Sequence, residues 1–241
     1  MIAIRDLKKS FGRGAPVLHD VSVNIADGTI YGLTGYNGAG KTTLLKLLCG
    51  IYRPQAGTIR IDDAEVYENP AVKRKMFMMT EELFILPQAT LPRMESFYRG
   101  YYPTWDSGVY TRLMRYFNLP ANRSINEFSK GMQRQTGLMT AFASGATYLL
   151  LDEAFDGLDL GIRRTMRQLL REYVKARSAT VILTSHNLVE LEQCVTRFGM
   201  IDDGSLRWDM SVEELRRSGR TLEEFFLDRK ETNYDEPSNI F

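Results

Sequence analysis

The sequence predicts an α/β fold with a mainly parallel sheet, and three observations carry that expectation. Short apolar runs alternate with helical patterns along most of the chain, the order that gives parallel strands joined by crossover helices. A glycine-rich stretch, Gly35 to Thr42, falls between one such run and the next helical pattern. Between Phe84 and Trp105 the alternation stops, and Phe97, Tyr98, Tyr101 and Tyr102 crowd among Pro87, Pro92 and Pro103, which marks an inserted helical lobe. At 241 residues the chain exceeds the ~150 residues typical of one domain without making two, so a single domain with an insertion is expected.

The elements follow in order. Ile2 and Ile4, then Val21, Val23 and Ile25, alternate as strands do and close on the turn pair Asp27-Gly28. Ile30 to Thr34 is a short strand running into Gly35, and Leu44, Leu45, Leu47 and Leu48 predict a helix over 40–48 that Gly50 can end. Thr58 to Ile61 and Lys75 to Met79 are two further strands. In the lobe, Asp106 can cap a helix whose apolar stripe includes Val109, Leu113, Met114 and Phe117. Another helix begins near Lys130. Strands are then expected at Tyr148 to Leu151, Val181 to Thr184 and Phe198 to Ile201, separated by a long arginine-rich helix, Leu160 to Arg177, and a short one from Asn187. Ser211 with Glu214, and Thr221 with Glu224, fit capping boxes for two terminal helices, and a polar tail occupies 229–241.

Composition narrows the function classes. Hydrophobic residues make up 44% and charged residues 25%, close to the globular average, which argues against disordered, fibrous and disulfide-scaffold proteins. A net charge of +1 gives no general attraction to nucleic acid. Cys49 and Cys194 are too few and too far apart for a metal cluster or disulfide framework, so two reduced thiols in a cytoplasmic protein are expected. The first ten residues lack the apolar core of a signal peptide, and the longest uncharged stretch, Gln135 to Leu151, is shorter than the ~20 apolar residues of a membrane helix. Membrane contact is therefore expected through a partner.

Gly35-Tyr36-Asn37-Gly38-Ala39-Gly40-Lys41-Thr42 fits the pattern G-x-x-x-x-G-K-[ST] in the strand-loop-helix setting its chemistry needs. Glycines let successive backbone N–H groups turn inward around phosphate oxygens, and the helix N-terminus adds partial positive charge. Lys41 is expected to reach the β- and γ-phosphates and Thr42 to ligate Mg²⁺, with Thr43 adjoining. A second site is Leu149-Leu150-Leu151-Asp152-Glu153, an apolar strand delivering two acids to the sheet edge where phosphates bind. Asp152 is expected in the Mg²⁺ shell and Glu153 as the group that polarises the attacking water.

With both motifs present, the chain resembles an ATP-binding-cassette ATPase over about residues 1–215. The resemblance implies a P-loop NTPase core with a mainly parallel sheet, an N-terminal antiparallel β-subdomain, and an α-helical subdomain inserted at about 82–145, all within an ATP-binding domain of 1–228. Phe128-Ser129-Lys130-Gly131-Met132 occupies the place of the family's signature loop. By resemblance, Ser129 and the Gly131 backbone bind the γ-phosphate held by an opposite subunit, and Gly157-Leu158-Asp159 is the loop that meets its counterpart across that dimer. His186 resembles the switch histidine that senses the γ-phosphate. Phe11 sits where the family stacks a ring on adenine; a half-buried strand position is the equal alternative.

The chain also departs from the family. Met78-Met79-Thr80-Glu81 brings Glu81, a carboxylate, to a position usually held by glutamine near the metal, with Gln88 as a more distant substitute. Ala154 and Phe155 replace the proline and small polar residue common after the catalytic glutamate.

The resemblance implies an ATP-hydrolysing subunit, dependent on ATP and Mg²⁺, of an exporter most like bacterial ABC-2 systems. Its expected partners are a transmembrane permease on a separate chain and a second ATP-binding subunit, identical or paralogous, at the inner face of the cell membrane. A non-transport cassette acting on nucleic acid or ribosomes is the alternative; such relatives usually carry a coiled-coil insertion or two cassettes, and nucleic acid is not expected here. A kinase or GTPase of the same loop class would leave Ser129 and His186 unexplained, and no Asn-Lys-x-Asp guanine motif occurs.

Overall fold

The computed structural model describes residues 1–12 and 14–228, and the polar tail 229–241 lies outside them. Two sheets form the frame. The N-terminal antiparallel sheet has order β2-β1-β4-β5, from β1 (Ile2–Lys9), β2 (Leu18–Ile25), β4 (Ala56–Ile61) and β5 (Ala64–Glu65). The second has order β10-β9-β3-β8-β7-β6, from β3 (Ile30–Thr34), β6 (Met76–Met79), β7 (Tyr148–Leu151), β8 (Thr180–Thr184), β9 (Arg197–Asp202) and β10 (Ser205–Ser211). Its ladders are parallel from β9 to β6, and β10 adds an antiparallel edge.

Alternation of side chains along each strand places the core on both faces of this sheet. Tyr148, Leu150, Ile182 and Ile201 face the antiparallel sheet and helix α1 (Lys41–Leu48). Leu149, Leu151, Val181, Leu183 and Phe198 belong to the opposite core, with Met166, Leu170 and Val174 of the long helix between β7 and β8. Fully burying a leucine stabilises the fold by about 1.5–3 kcal/mol, so these short strands are fixed by packing as well as by their ladders.

The remaining helices are α2 (Pro70–Lys73), α3 (Leu91–Tyr101), α4 (Ser107–Tyr116), α5 (Lys130–Ser144), α6 (Leu160–Arg177), α7 (Leu188–Cys194), α8 (Val212–Arg217) and α9 (Leu222–Leu227). The caps expected from sequence are present: Asp106 accepts from Val109 N–H, and both capping boxes, at Ser211 and Thr221, are closed. The sequence pattern does not separate helix α3 from the rest of the lobe, because Pro92 at its first turn and its run of aromatics hide the 3.6-residue period. Strand β10 escaped because its sequence, SLRWDMS, is mostly polar, as an edge strand allows.

Helices α3, α4 and α5 enclose a small core of their own around Met94, Tyr110, Ile125 and Met139. The aromatic stretch divides in two. Tyr98 and Trp105 stack with planes 5° apart inside the lobe, whereas Phe84 and Tyr101 are exposed. An apolar cavity of about 50 Å³ lies where β6 meets the lobe, lined in part by Phe77, Met79, Leu83 and Tyr98. No helix among the described residues is long and apolar enough to cross a membrane.

Candidate nucleotide-binding site

Strand β3 ends at Thr34, whose hydroxyl donates to the Gly199 carbonyl of β9, and the glycine-rich loop leaves the sheet edge from there. Gly40 has φ 104, and a Cβ on it would lie 2.6 Å from Leu18 Cδ2 and 3.1 Å from the Val17 carbonyl. Only glycine meets both demands, and that close approach turns the chain directly into α1. No acidic residue occupies the first turn of α1, so no side chain of the helix itself offsets its positive dipole end at the cleft. Lys41 Nζ, nearly buried, donates to the carbonyls of Gly35 at 2.7 Å and Tyr36 at 3.1 Å. Burial lowers its pKa, against the attraction of Glu153 and Asp152.

The acids arrive from β7. The Thr42 hydroxyl donates to Asp152 Oδ2 at 2.7 Å, joining residues 110 positions apart, and the Thr184 hydroxyl donates to Asp152 Oδ1 at 2.7 Å. Glu153 has φ 48, a left-handed conformation uncommon for a residue with a side chain, and its N–H donates to Thr184 Oγ1 at 2.9 Å. Its Oε2 accepts from the His186 N–H at 3.1 Å. His186 Nε2 lies 3.2 Å from Oε1 without the alignment of a hydrogen bond. Burial pushes the Glu153 carboxyl above its ordinary value, while His186 and Lys41 pull it down. A buried carboxylate of this kind has the chemistry to accept a proton from a neighbouring water.

Asn37, Gly38, Gly40, Lys41, Thr42, Thr43, Glu81, Asp152, Glu153 and His186 line one cleft of about 420 Å³. Glu81 enters it from the loop after β6; Gln88 does not line it. The Thr42 hydroxyl and the Asp152 carboxylate are hard oxygen donors side by side. That set fits Mg²⁺, which takes one or two carboxylates and completes its shell with water and phosphate oxygens.

Several expected residues sit elsewhere. The Tyr36 ring packs on Phe226, so this residue offers the cleft only its main chain, and the partly buried Ala39 donates its N–H to the Tyr36 carbonyl at 3.1 Å while its methyl packs against the core. Phe11 lies beyond the end of β1, is 46% exposed and meets Tyr52 edge-on at 5.1 Å; it is not a half-buried strand residue, nor does it line the cleft. Ser129 caps α5, accepting from Met132 N–H at 3.2 Å. A Cβ on Gly131 would lie 3.1 Å from the Gly157 carbonyl, so the first turn of α5 rests on the turn after β7. Asp159 caps α6 through Ile162 N–H at 2.9 Å. These last three do not line the cleft of their own chain, because they belong to the lobe and to the turn beside it.

Ala154 and Phe155 are both buried in the core, which explains their apolar character next to the acids. Two cleft neighbours escaped sequence reasoning. Val17 had no signal, whereas Thr184 had one, a hydroxyl ending the apolar run Val181 to Leu183 just before His186.

Residues 18–156 match the family described as ABC transporter. The chain is 35% identical over 216 residues to the ABC transporter ATP-binding protein YtrB of Bacillus subtilis, covering 90% of this chain and 74% of that protein. It is 30% identical over 234 residues to the bacitracin transport ATP-binding protein BcrA of Bacillus licheniformis, covering 94% and 75%. A solved structure described as the ATP binding subunit of an ABC transporter superposes with a TM-score of 0.85 at 26% identity, over 94% of this chain and 98% of that one.

Proposed function

The chain belongs to the ABC transporter family and is an ABC ATPase, and on that premise we propose that two cassettes close around ATP and Mg²⁺ to drive export through a transmembrane subunit on a separate chain. The observation that carries this reading is the 2.7 Å hydrogen bond from Thr42 to Asp152, in a cleft shared with Lys41, Glu153 and His186. It brings the phosphate loop and the acidic strand to one point, where phosphoryl transfer needs electrostatic stabilisation and a positioned nucleophile.

Lys41 and backbone N–H groups of the glycine-rich loop and the start of α1 hold the phosphates, and Thr42 with Asp152 would hold Mg²⁺, which would neutralise charge on the phosphate oxygens. Glu153 accepts the proton of the attacking water, and His186 at its side reads the γ-phosphate. Glu81 contributes negative charge at the rim of the same cleft. Phe11, exposed next to Tyr52, offers a ring to adenine. Ser129, the Gly131 backbone and Asp159 do not line their own cleft, which suits a role at the phosphate held by a second subunit. Names of relatives support a role in transport: BcrA is named for bacitracin transport, a 28% identical protein, SrtF of Streptococcus pyogenes, for lantibiotic transport, and a 29% identical protein, CysA of Caulobacter vibrioides, for sulfate and thiosulfate import, so the export direction rests on the resemblance of the motifs. Such a subunit works as a peripheral protein at the inner face of the cell membrane.

Complementation tests the composite site. Lys41→Ala chains mixed with Ser129→Arg chains form a pair with one undamaged site, since both lesions fall in the other. The expected result is ATP-dependent dimerisation in the mixture and in neither variant alone, read by size-exclusion chromatography with light scattering. A mixture that stays monomeric, while wild type paired with either single variant dimerises, would show that Ser129 does not act across the dimer.

A further inference from the structure

The central strand β8 is fully buried and apolar over Val181 to Leu183, and it ends on a hydroxyl with no exposed surface, that of Thr184. Register explains its position. Leu151 of β7 pairs with Leu183, and Leu33 of β3 pairs with Thr184, so Thr184 stands between the strand that feeds the phosphate loop and the strand that delivers the acids. A hydroxyl has one proton to give and lone pairs to receive. The proton goes to Asp152 Oδ1 at 2.7 Å, and a lone pair receives the Glu153 N–H at 2.9 Å.

Both bonds bear on the chemistry. With Oδ1 held, the other oxygen of Asp152 is the one directed at Thr42, 2.7 Å away. Glu153 has φ 48, in the sparsely populated left-handed region, and the bond from its N–H to Thr184 helps hold that turn. The left-handed turn then aims the Glu153 side chain toward His186. We propose that Thr184 is a positioning residue for the Asp152 and Glu153 pair, setting the carboxylate face offered to the metal and the backbone turn that presents the base. This rests on the assignment of Asp152 to the metal shell made above.

Thr184→Val keeps the shape and removes the hydroxyl, leaving a buried carboxylate oxygen without its donor and a buried N–H without its acceptor. Loss of a partner that orients a metal ligand typically costs about 10- to 100-fold in metal affinity or activity. The experiment measures Mn²⁺ binding to the full chain by electron paramagnetic resonance with a non-hydrolysable ATP analogue, together with ATPase activity and thermal melting. Expected are Mn²⁺ affinity and kcat each weakened by about 10-fold or more in Thr184→Val, with Thr184→Ser within about 3-fold of wild type. Mn²⁺ affinity unchanged in a folded Thr184→Val protein, or Thr184→Ser as impaired as Thr184→Val, would overturn the proposal. Should Thr184→Val fail to fold, Thr184→Cys replaces it, because a thiol is a weak donor; equal Mn²⁺ affinity in Thr184→Cys and Thr184→Ser would then be fatal. Asp152→Asn separates the two levels of the argument. If it leaves Mn²⁺ binding intact, the metal-shell assignment is wrong; if it abolishes binding while Thr184→Val does not weaken it, only the role of Thr184 is wrong.

Discussion

The ring of Tyr36, the second residue of the phosphate loop, packs at 4.7 Å and a 56° tilt against Phe226 of α9. Helix α9 is in turn fixed to the body of the fold, since the Leu222 N–H donates to Glu192 at 2.8 Å and Phe225 packs on Phe198 and Trp208. The last described helix therefore braces the loop through a contact outside the cleft lining. Phe226→Leu keeps an apolar side chain and removes the ring contact, which is worth about 0.5–1.5 kcal/mol. We expect ATP affinity to weaken by about 2- to 10-fold, the equivalent of that energy, with kcat at saturating ATP changed less. Titration with a fluorescent ATP analogue decides, and an unchanged affinity would mean that the contact is only structural.

Lys41→Ala and Glu153→Gln should separate binding from chemistry. Lys41 lies among the phosphate-facing N–H groups, so its loss should lower nucleotide affinity. Glutamine at 153 keeps shape and neutral hydrogen bonding but cannot take a proton, so affinity should hold while hydrolysis slows by about 10²-fold or more. Equal losses of affinity in the two variants would refute these roles.

Glu81 adds a third carboxylate to the cleft of Asp152 and Glu153. Like charges around one cation repel unless the ion offsets them, so Glu81→Gln should raise the hydrolysis rate or shift its Mg²⁺ dependence. Steady-state rates over a Mg²⁺ series would read this directly. Identical curves for variant and wild type would make the carboxylate incidental.

The Glu153 carboxyl is held above its ordinary value of 4.5, first by burial, with His186 and Lys41 working against it. The acid limb of the rate profile should therefore lie above the usual glutamate range, and His186→Ala should move it further up by removing a group that lowers it. Stability has its own sign. A carboxyl raised on folding contributes stability below its unfolded pKa and loses it as pH rises through the folded value. Glu153→Gln should accordingly melt higher than wild type at neutral pH, with the gap closing as the medium is acidified through the raised pKa. Melting curves that differ equally at all pH values would contradict the shift.

What the sequence by itself determined is local. Gly35 to Thr42, the caps at Asp106 and Asn187, the boxes at Ser211 and Thr221, and the buried run Tyr148 to Leu151 are each written in windows of a few residues, where backbone freedom, end capping and apolar period act. Resemblance to a family then ordered these pieces into one ATPase. Tertiary structure decided what each side chain meets. Nothing near position 42 says that its hydroxyl will bind a carboxylate 110 residues on, nor that Tyr36 will turn from the phosphates toward Phe226. Thr184 reads as the end of a strand until β7 lies beside β8 in register and sets Asp152 within 2.7 Å of it. Capping and turn preferences arise from a residue's immediate neighbours along the chain, whereas these partnerships depend on the register of strands and on the faces that pack, which only the folded chain brings together.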